Sequence, residues 1–133
     1  MNKPQLLHLP KFLDDRGNLS FIEEGKQIPF IIERTYWIHD VPGGEVRGGH
    51  AFKKQKEFIV ALSGSFDVVW HDGITENRVH LNRSYYGFFI PPMIWRHLEN
   101  FSTNAVALVL SSTLYDQDDY IRDFNQFLNF VKA

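Results

Sequence analysis

The stretch Gly44 to Gly64, GEVRGGHAFKKQKEFIVALSG, gathers the residue types that do chemistry. His50 is followed two positions later by Phe52 and seven positions later by Glu57, with Gly44 and Gly64 at the ends. Further on, Pro91, Arg96 and Asn100 hold a second spacing of five and then four residues. An imidazole and a carboxylate so close in sequence suit either proton transfer or metal binding. The other places in the pattern disfavour a metal. Phenylalanine has no lone pair to give, and a guanidinium is permanently protonated with no acceptor atom. The cation of Arg96 would also oppose a divalent ion nearby. No metal is therefore expected. The surviving frame argues for a barrel, and the lost ligands argue for a different chemistry inside it.

The elements that must position these residues read as strands. Leu6–Leu9, Leu19–Glu23, Pro29–His39, Lys56–Leu62, Phe66–His71, Thr75–Leu81, Tyr85–Ile90, Trp95–Glu99 and Ala105–Ser111 are short runs rich in β-branched and aromatic residues. Turn signals separate them: Asp14-Asp15-Arg16-Gly17-Asn18, Ser63-Gly64-Ser65, Asp72-Gly73 and Pro91-Pro92. Val41 to Gly49 holds four glycines and a proline, as a loop that bends sharply or approaches a ligand would. From Asp116 to Phe130 the character changes. Tyr120, Ile121, Phe124, Phe127, Leu128 and Val131 recur at helical steps, with Asp118 or Asp119 able to cap the start. Nine or ten closely spaced strands followed by one short helix predict an all-β sandwich or barrel. The run Phe58-Ile59-Val60-Ala61-Leu62 is apolar on both faces, which in so small a chain suggests a partner subunit.

Composition narrows the function classes. The 133 residues are the size of one domain, expected to span 1–133. Apolar residues make up 44%, aromatic residues 15%, and the net charge is -2. That balance lacks the basic excess of a nucleic-acid binder. No apolar run is long enough to span a bilayer, so no membrane partner is expected. The absence of cysteine excludes disulfides and thiolate zinc sites. The start MNKPQLLHLPKF lacks the pattern of a signal peptide, and a cytoplasmic location is expected.

The spacing around His50 and Glu57 resembles the first motif of the cupins, double-stranded β-helix jelly-roll barrels, with Phe52 where they carry a second His. Pro91, Arg96 and Asn100 resemble their second motif, with Arg96 in place of its His. A closer resemblance runs through almost the whole chain. Asp15-Arg16-Gly17, Ile28-Pro29-Phe30, Arg34 to Trp37, Arg47-Gly48-Gly49-His50-Ala51, Ala61 to Ser65, Ile90 to Trp95 and Tyr115-Asp116 to Arg122 are similar to the sugar 3,4-ketoisomerases, the WxcM-like cupins. That resemblance implies a cupin barrel with a short C-terminal helix and a homodimer with exchanged strands. It implies a dTDP-linked 4-keto-6-deoxyhexose as ligand, converted to its 3-keto isomer through an enediolate without a cofactor.

By position in that family, His50 is the proton-transfer group. Tyr36 relays a proton or holds the enediolate. Arg16, Arg47 and Arg96 are set to bind the diphosphate or the oxyanion, since a guanidinium meets phosphate as a fork. Trp95 is set to stack on the thymine or the sugar. Phe52 departs from the family pattern, because its usual His belongs to the catalytic pair. Three readings follow: His50 and Tyr36 act together, His97 substitutes, or the chain is a weak enzyme or a nucleotide-sugar binder. Glu57, left without a metal, is expected to be structural. His8, His39, His71 and His80 are expected at the surface.

Overall fold

The computed structural model describes residues 2–132 as two antiparallel five-stranded sheets laid face to face. The strands are β1 (Gln5–His8), β2 (Lys11–Phe12), β3 (Leu19–Ser20), β4 (Arg34–His39), β5 (Arg47–Phe52), β6 (Glu57–Ser63), β7 (Phe66–His71), β8 (Glu76–Leu81), β9 (Tyr86–Ile90), β10 (Trp95–Glu99), β11 (Val106–Ser111) and β12 (Tyr120–Ile121). One sheet runs β1-β9-β6-β11-β4 and the other β12-β5-β10-β7-β8, the crossover order of a jelly-roll barrel. β2 and β3 form a separate hairpin. The turns that fold the sheets are written locally. Gly64 takes φ +67 between β6 and β7, where a side chain would press on Ala105. The Asp72 carboxylate accepts the Ile74 and Thr75 amides at 2.8 and 2.9 Å and closes the β7–β8 hairpin.

Strand alternation divides the apolar residues into layers. Ile59 and Ala61 on β6, Val68 on β7, Phe88 and Ile90 on β9, Leu98 on β10 and Val109 on β11 fill the space between the sheets. The opposite face of β6 presents Phe58 and Val60. Both pack with Phe89 and Leu110 against Leu9, Ile28 and Phe30 of the chain's own N-terminal segment. The double-faced apolarity of β6 is thus met within one chain, not by the partner subunit it suggests in the sequence.

The helical spacing expected from Asp116 resolves into three pieces. Gln117–Asp119 is a single 3-10 turn capped by Asp116, β12 follows it, and helix α1 occupies only Phe124–Lys132. Asp119 does not cap α1. Its buried carboxylate accepts the Lys54 and Gln55 amides at 2.8 and 3.1 Å, fixing the β5–β6 connection. α1 then covers the outer face of the second sheet, where Phe127 meets Ala51 and Ile121. The expected strand Pro29–His39 begins only at Arg34, because Pro29 to Ile32 is spent covering the first sheet. No helix among the described residues is long and apolar enough to cross a membrane.

Candidate active site

A cavity of about 500 Å³ opens between β4, the edge of the first sheet, and β5 with β12 at the edge of the second. β4 contributes Arg34, Tyr36, Trp37, Ile38 and His39. β5 contributes Arg47, Gly48 and His50, β10 contributes Arg96, and the segment through β12 contributes Tyr120 and Arg122. Four of the expected residues, His50, Tyr36, Arg47 and Arg96, are therefore brought together. Four arginines and no carboxylate line the walls, so the cavity is built for an anion.

The floor is an ion pair. Arg96 donates from Nε to Glu57 Oε1 at 3.0 Å, and from Nη2 to Oε1 and Oε2 at 2.9 and 2.8 Å. Both side chains are only about 1% exposed. Tyr36 donates its hydroxyl proton to Glu57 Oε2 at 2.8 Å and accepts from Arg96 Nη2 at 3.1 Å. Arg96 Nη1 reaches the Gly48 carbonyl at 3.3 Å. Gly48 itself takes φ +78, and any side chain there would strike the Arg96 guanidinium. Burial opposes the guanidinium's charge, but the facing Glu57 carboxylate outweighs it and holds Arg96 firmly protonated. Burial, and then the Glu57 charge, raise the Tyr36 phenol well above its ordinary range, so it keeps its proton.

His50 sits above this floor, 8% exposed, with its ring edge-on to Phe52 at 4.8 Å and to Tyr120 at 5.0 Å between centroids. Its Nε2 is buried and has no hydrogen-bond partner. Burial, then the charges of Arg96 and Arg122, push its pKa down to about 2, so the imidazole is neutral. A buried polar atom without a partner is rare; Arg34 Nε and Gln55 Nε2 share that condition among the described residues.

Two expected residues lie elsewhere. Trp95 precedes Arg96 on β10, and neighbours on a strand point to opposite faces. With Arg96 inside, Trp95 is outside, packed edge-on against Phe124 at 5.4 Å and against Phe127 at 6.0 Å beneath α1. It cannot stack on a ligand in this cavity. Arg16 stands in the exposed turn after β2, its side chain 90% exposed and paired with Asp14 at 2.9 Å. One chain does not carry it to the site. His97 shares the outer face with Trp95, bonded through Nε2 to Glu99 at 2.6 Å, so it does not substitute for the missing imidazole. His39 is exposed as expected, yet it stands at the cavity mouth, paired with Asp40 at 2.9 Å.

Sequence reasoning missed Arg34, Tyr120 and Arg122. Arg34 donates to Gln55 Oε1 at 3.0 Å and lies over the rings of Tyr36 and Tyr115 at 5.1 and 5.5 Å. Arg122 lies over the Tyr120 ring at 4.2 Å. The signal that would have found the latter two is their two-residue spacing, which was masked by assigning both to a helix.

The donor set does not fit a divalent cation. Both Glu57 oxygens are engaged by Arg96, Phe52 offers no donor, and the guanidinium stands between Glu57 and the cavity. Among the described residues no group of three or more His, Cys, Asp or Glu side chains converges.

The chain's similarities agree with this construction. Residues 2–132 match the family described as FdtA: WxcM-like, C-terminal. The TDP-4-oxo-6-deoxy-alpha-D-glucose-3,4-oxoisomerase of Aneurinibacillus thermoaerophilus is 39% identical over 127 residues, 96% of this chain and 91% of that protein. A solved 3,4-ketoisomerase from Helicobacter canadensis is 37% identical and superposes with a TM-score of 0.96, covering 100% of both chains. The 3,4-ketoisomerase QdtA of Thermoanaerobacterium thermosaccharolyticum is 32% identical, with a TM-score of 0.95 over 97% of this chain and 94% of that one. It was solved as a histidine-to-asparagine mutant in complex with TDP-4-keto-6-deoxyglucose.

Proposed function

We propose that this chain, which belongs to the FdtA, WxcM-like family, converts a TDP-linked 4-keto-6-deoxyhexose into its 3-keto isomer by proton transfer through an enediolate. The observation that carries this reading is the unpartnered, neutral imidazole of His50 inside a cavity walled by arginines. A hydrogen on the carbon beside a ketone is weakly acidic, so the reaction needs a base at C3 and donors for the charge that develops on O4. His50 takes the C3 hydrogen and returns a hydrogen to C4. Arg96 uses two of its nitrogens on Glu57 and keeps Nη1 on a single long contact, which leaves an N–H for the oxyanion. Tyr36, whose proton is turned toward Glu57, positions that ion pair and does not itself move a proton. Arg47 and Arg122, both exposed at the wall, meet the diphosphate. The ligand's negative charge opposes the guanidinium charges acting on His50, so the imidazole becomes a better base when substrate is bound.

The functional unit in this reading is a homodimer with exchanged strands. The β2–β3 hairpin pairs with neither sheet and exposes Phe12, Leu13 and Leu19, 57–73% accessible, while edge strand β4 exposes Trp37 at 60%. An isolated two-stranded hairpin is marginal in water, and a free edge invites pairing. A second copy satisfies both, and a hairpin crossing to the partner is the route by which Arg16 would reach a cavity. Sedimentation at micromolar concentration is expected to give a dimer, and replacing Phe12, Leu13 and Leu19 with polar residues is expected to give a monomer. A nucleotide-linked substrate and a chain without cysteine suit the cytoplasm.

The test of the reaction is incubation with TDP-4-keto-6-deoxyglucose in deuterated water, followed by NMR. The 3-keto product is expected to appear, with solvent deuterium at C4 in proportion to exchange of the His50 proton with water before it is returned. Binding of the sugar nucleotide with neither isomerisation nor exchange would refute the reading.

A further inference from the structure

Moving the ketone from C4 to C3 shifts protons on two sets of atoms. One leaves C3 and one arrives at C4. A second leaves the O3 hydroxyl and one arrives at O4. A lone imidazole serves the carbon pair, but the oxygen pair needs its own carrier, and Phe52 is unable to act as one. Tyr36 is committed: its proton points to Glu57 at 2.8 Å and its oxygen accepts from Arg96.

Tyr120 is not committed. β12 pairs with β5 so that Tyr120 lies directly across from Phe52, with ring centroids 4.5 Å apart. Its ring also meets His50 at 5.0 Å and lines the cavity. Among the described residues no hydrogen bond holds its hydroxyl, in contrast to Tyr36. The Arg122 guanidinium lies over its ring at 4.2 Å, a cation placed to balance charge on the phenol between two transfers.

From this geometry we infer that Tyr120 is the second proton-transfer group of the site, carrying a proton between the two sugar oxygens while His50 carries one between the two carbons. As His50 takes the C3 hydrogen, the C–H electrons form the C3–C4 double bond and the carbonyl π electrons move onto O4; the enediolate so formed then takes the Tyr120 hydroxyl proton at O4. The phenolate then takes the O3 proton, whose bonding electrons form the C3 ketone, and the double-bond electrons at C4 accept the proton held by His50. Both side chains end in their starting states, so no co-reactant is consumed. A phenol on β12 thus stands in for the imidazole lost at position 52.

The inference rests on the isomerase reading, and the experiment separates the two. Turnover of TDP-4-keto-6-deoxyglucose, TDP binding and thermal unfolding are measured on the unmodified chain, on Tyr120→Phe and on Tyr120→Phe combined with Phe52→His. Tyr120→Phe is expected to lower turnover by roughly 10²–10⁴-fold, the usual effect of removing a general acid or base, with TDP binding and unfolding unchanged. The double variant is expected to regain part of that loss, because it restores a titrating group beside His50. Undiminished turnover in Tyr120→Phe overturns the inference alone, as does a loss of turnover that merely follows a loss of TDP binding. No product from the unmodified chain overturns both readings.

Discussion

Replacing His50 with asparagine tests whether the fold holds this imidazole neutral. In an unfolded chain a histidine titrates at about 6.5; in the fold, burial and the nearby guanidinium groups push His50 down to about 2. Between those two values the unfolded state binds a proton that the native state refuses. Stability therefore rises with pH across that window and is lost as pH falls below the unfolded value. One pH unit is worth about 1.4 kcal/mol of this linkage, so at pH 5 the unfolded state gains about 2 kcal/mol from His50, and at pH 7.5 almost nothing. Asparagine does not titrate. Urea unfolding of both proteins at pH 7.5 and pH 5.0, at one fixed protein concentration and without ligand, isolates this contribution from that of the other groups. The unmodified chain is expected to lose about 2 kcal/mol more than His50→Asn over that interval. Equal losses would show that the imidazole protonates readily in the fold, and the account of His50 as a base held discharged by its surroundings would fall with it. The same free energy matters in catalysis, because an imidazolium formed there is driven to give its proton back.

Arg96→Met leaves the Glu57 carboxylate buried without its partner and is expected to cost about 3–5 kcal/mol in urea unfolding, with much of that recovered by adding Glu57→Leu. Gly48→Ala forces a side chain into a left-handed conformation and onto the Arg96 guanidinium. It is expected to lower stability by about 1–3 kcal/mol and to reduce turnover more than TDP binding, read by NMR and calorimetry. With Arg47 in the proposed role of meeting the diphosphate, Arg47→Ala is expected to weaken TDP binding roughly 10–100-fold, with a smaller dependence on salt. Asp67, although buried, accepts from His80, Arg78 and Asn100, which hold its carboxyl below the usual range despite burial. Asp67→Asn is expected to lose stability at neutral pH, and its deficit is expected to shrink as pH falls from about 4 through the native value of Asp67.

What the sequence made legible is what local geometry enforces. The His50-to-Gly64 frame is legible because β5 and β6 are joined by the short connection 53–56, pinned by the Asp119 carboxylate, and Gly64 then turns β6 into β7. Trp95 and Arg96 are neighbours on β10, so only one of them can face the cavity, and it is Arg96. Arg16 is a different case: within one chain it stands in an exposed turn paired with Asp14, away from the cavity. Tyr120 and Arg122 were hidden because β12 is two residues long, too short to display alternation. Tyr120 and Ile121 also fall in helical step with Phe124, Phe127 and Leu128. Only the pairing of Tyr120 with Phe52 exposes the strand, and that contact joins residues 68 positions apart.

The exchange of metal ligands for Arg96 and Phe52 has a consequence that the lost ligands alone do not reveal. In a metal site a cation at the floor would bind the imidazole nitrogen and occupy its lone pair. Here the cation is covalently part of β10 and is satisfied by Glu57. Burial first, and then this charge acting through space, hold the His50 imidazole neutral, and its Nε2 has no hydrogen-bond partner. The Glu57 carboxylate therefore has a function that needs no metal. It anchors the guanidinium at a depth where the charge still reaches His50, and it occupies the Tyr36 proton that would otherwise compete for the substrate oxygens. On this argument Glu57→Gln harms catalysis without touching substrate: it loosens Arg96 and frees the Tyr36 hydroxyl, so turnover is expected to fall while TDP binding, which depends on the exposed arginines, is retained.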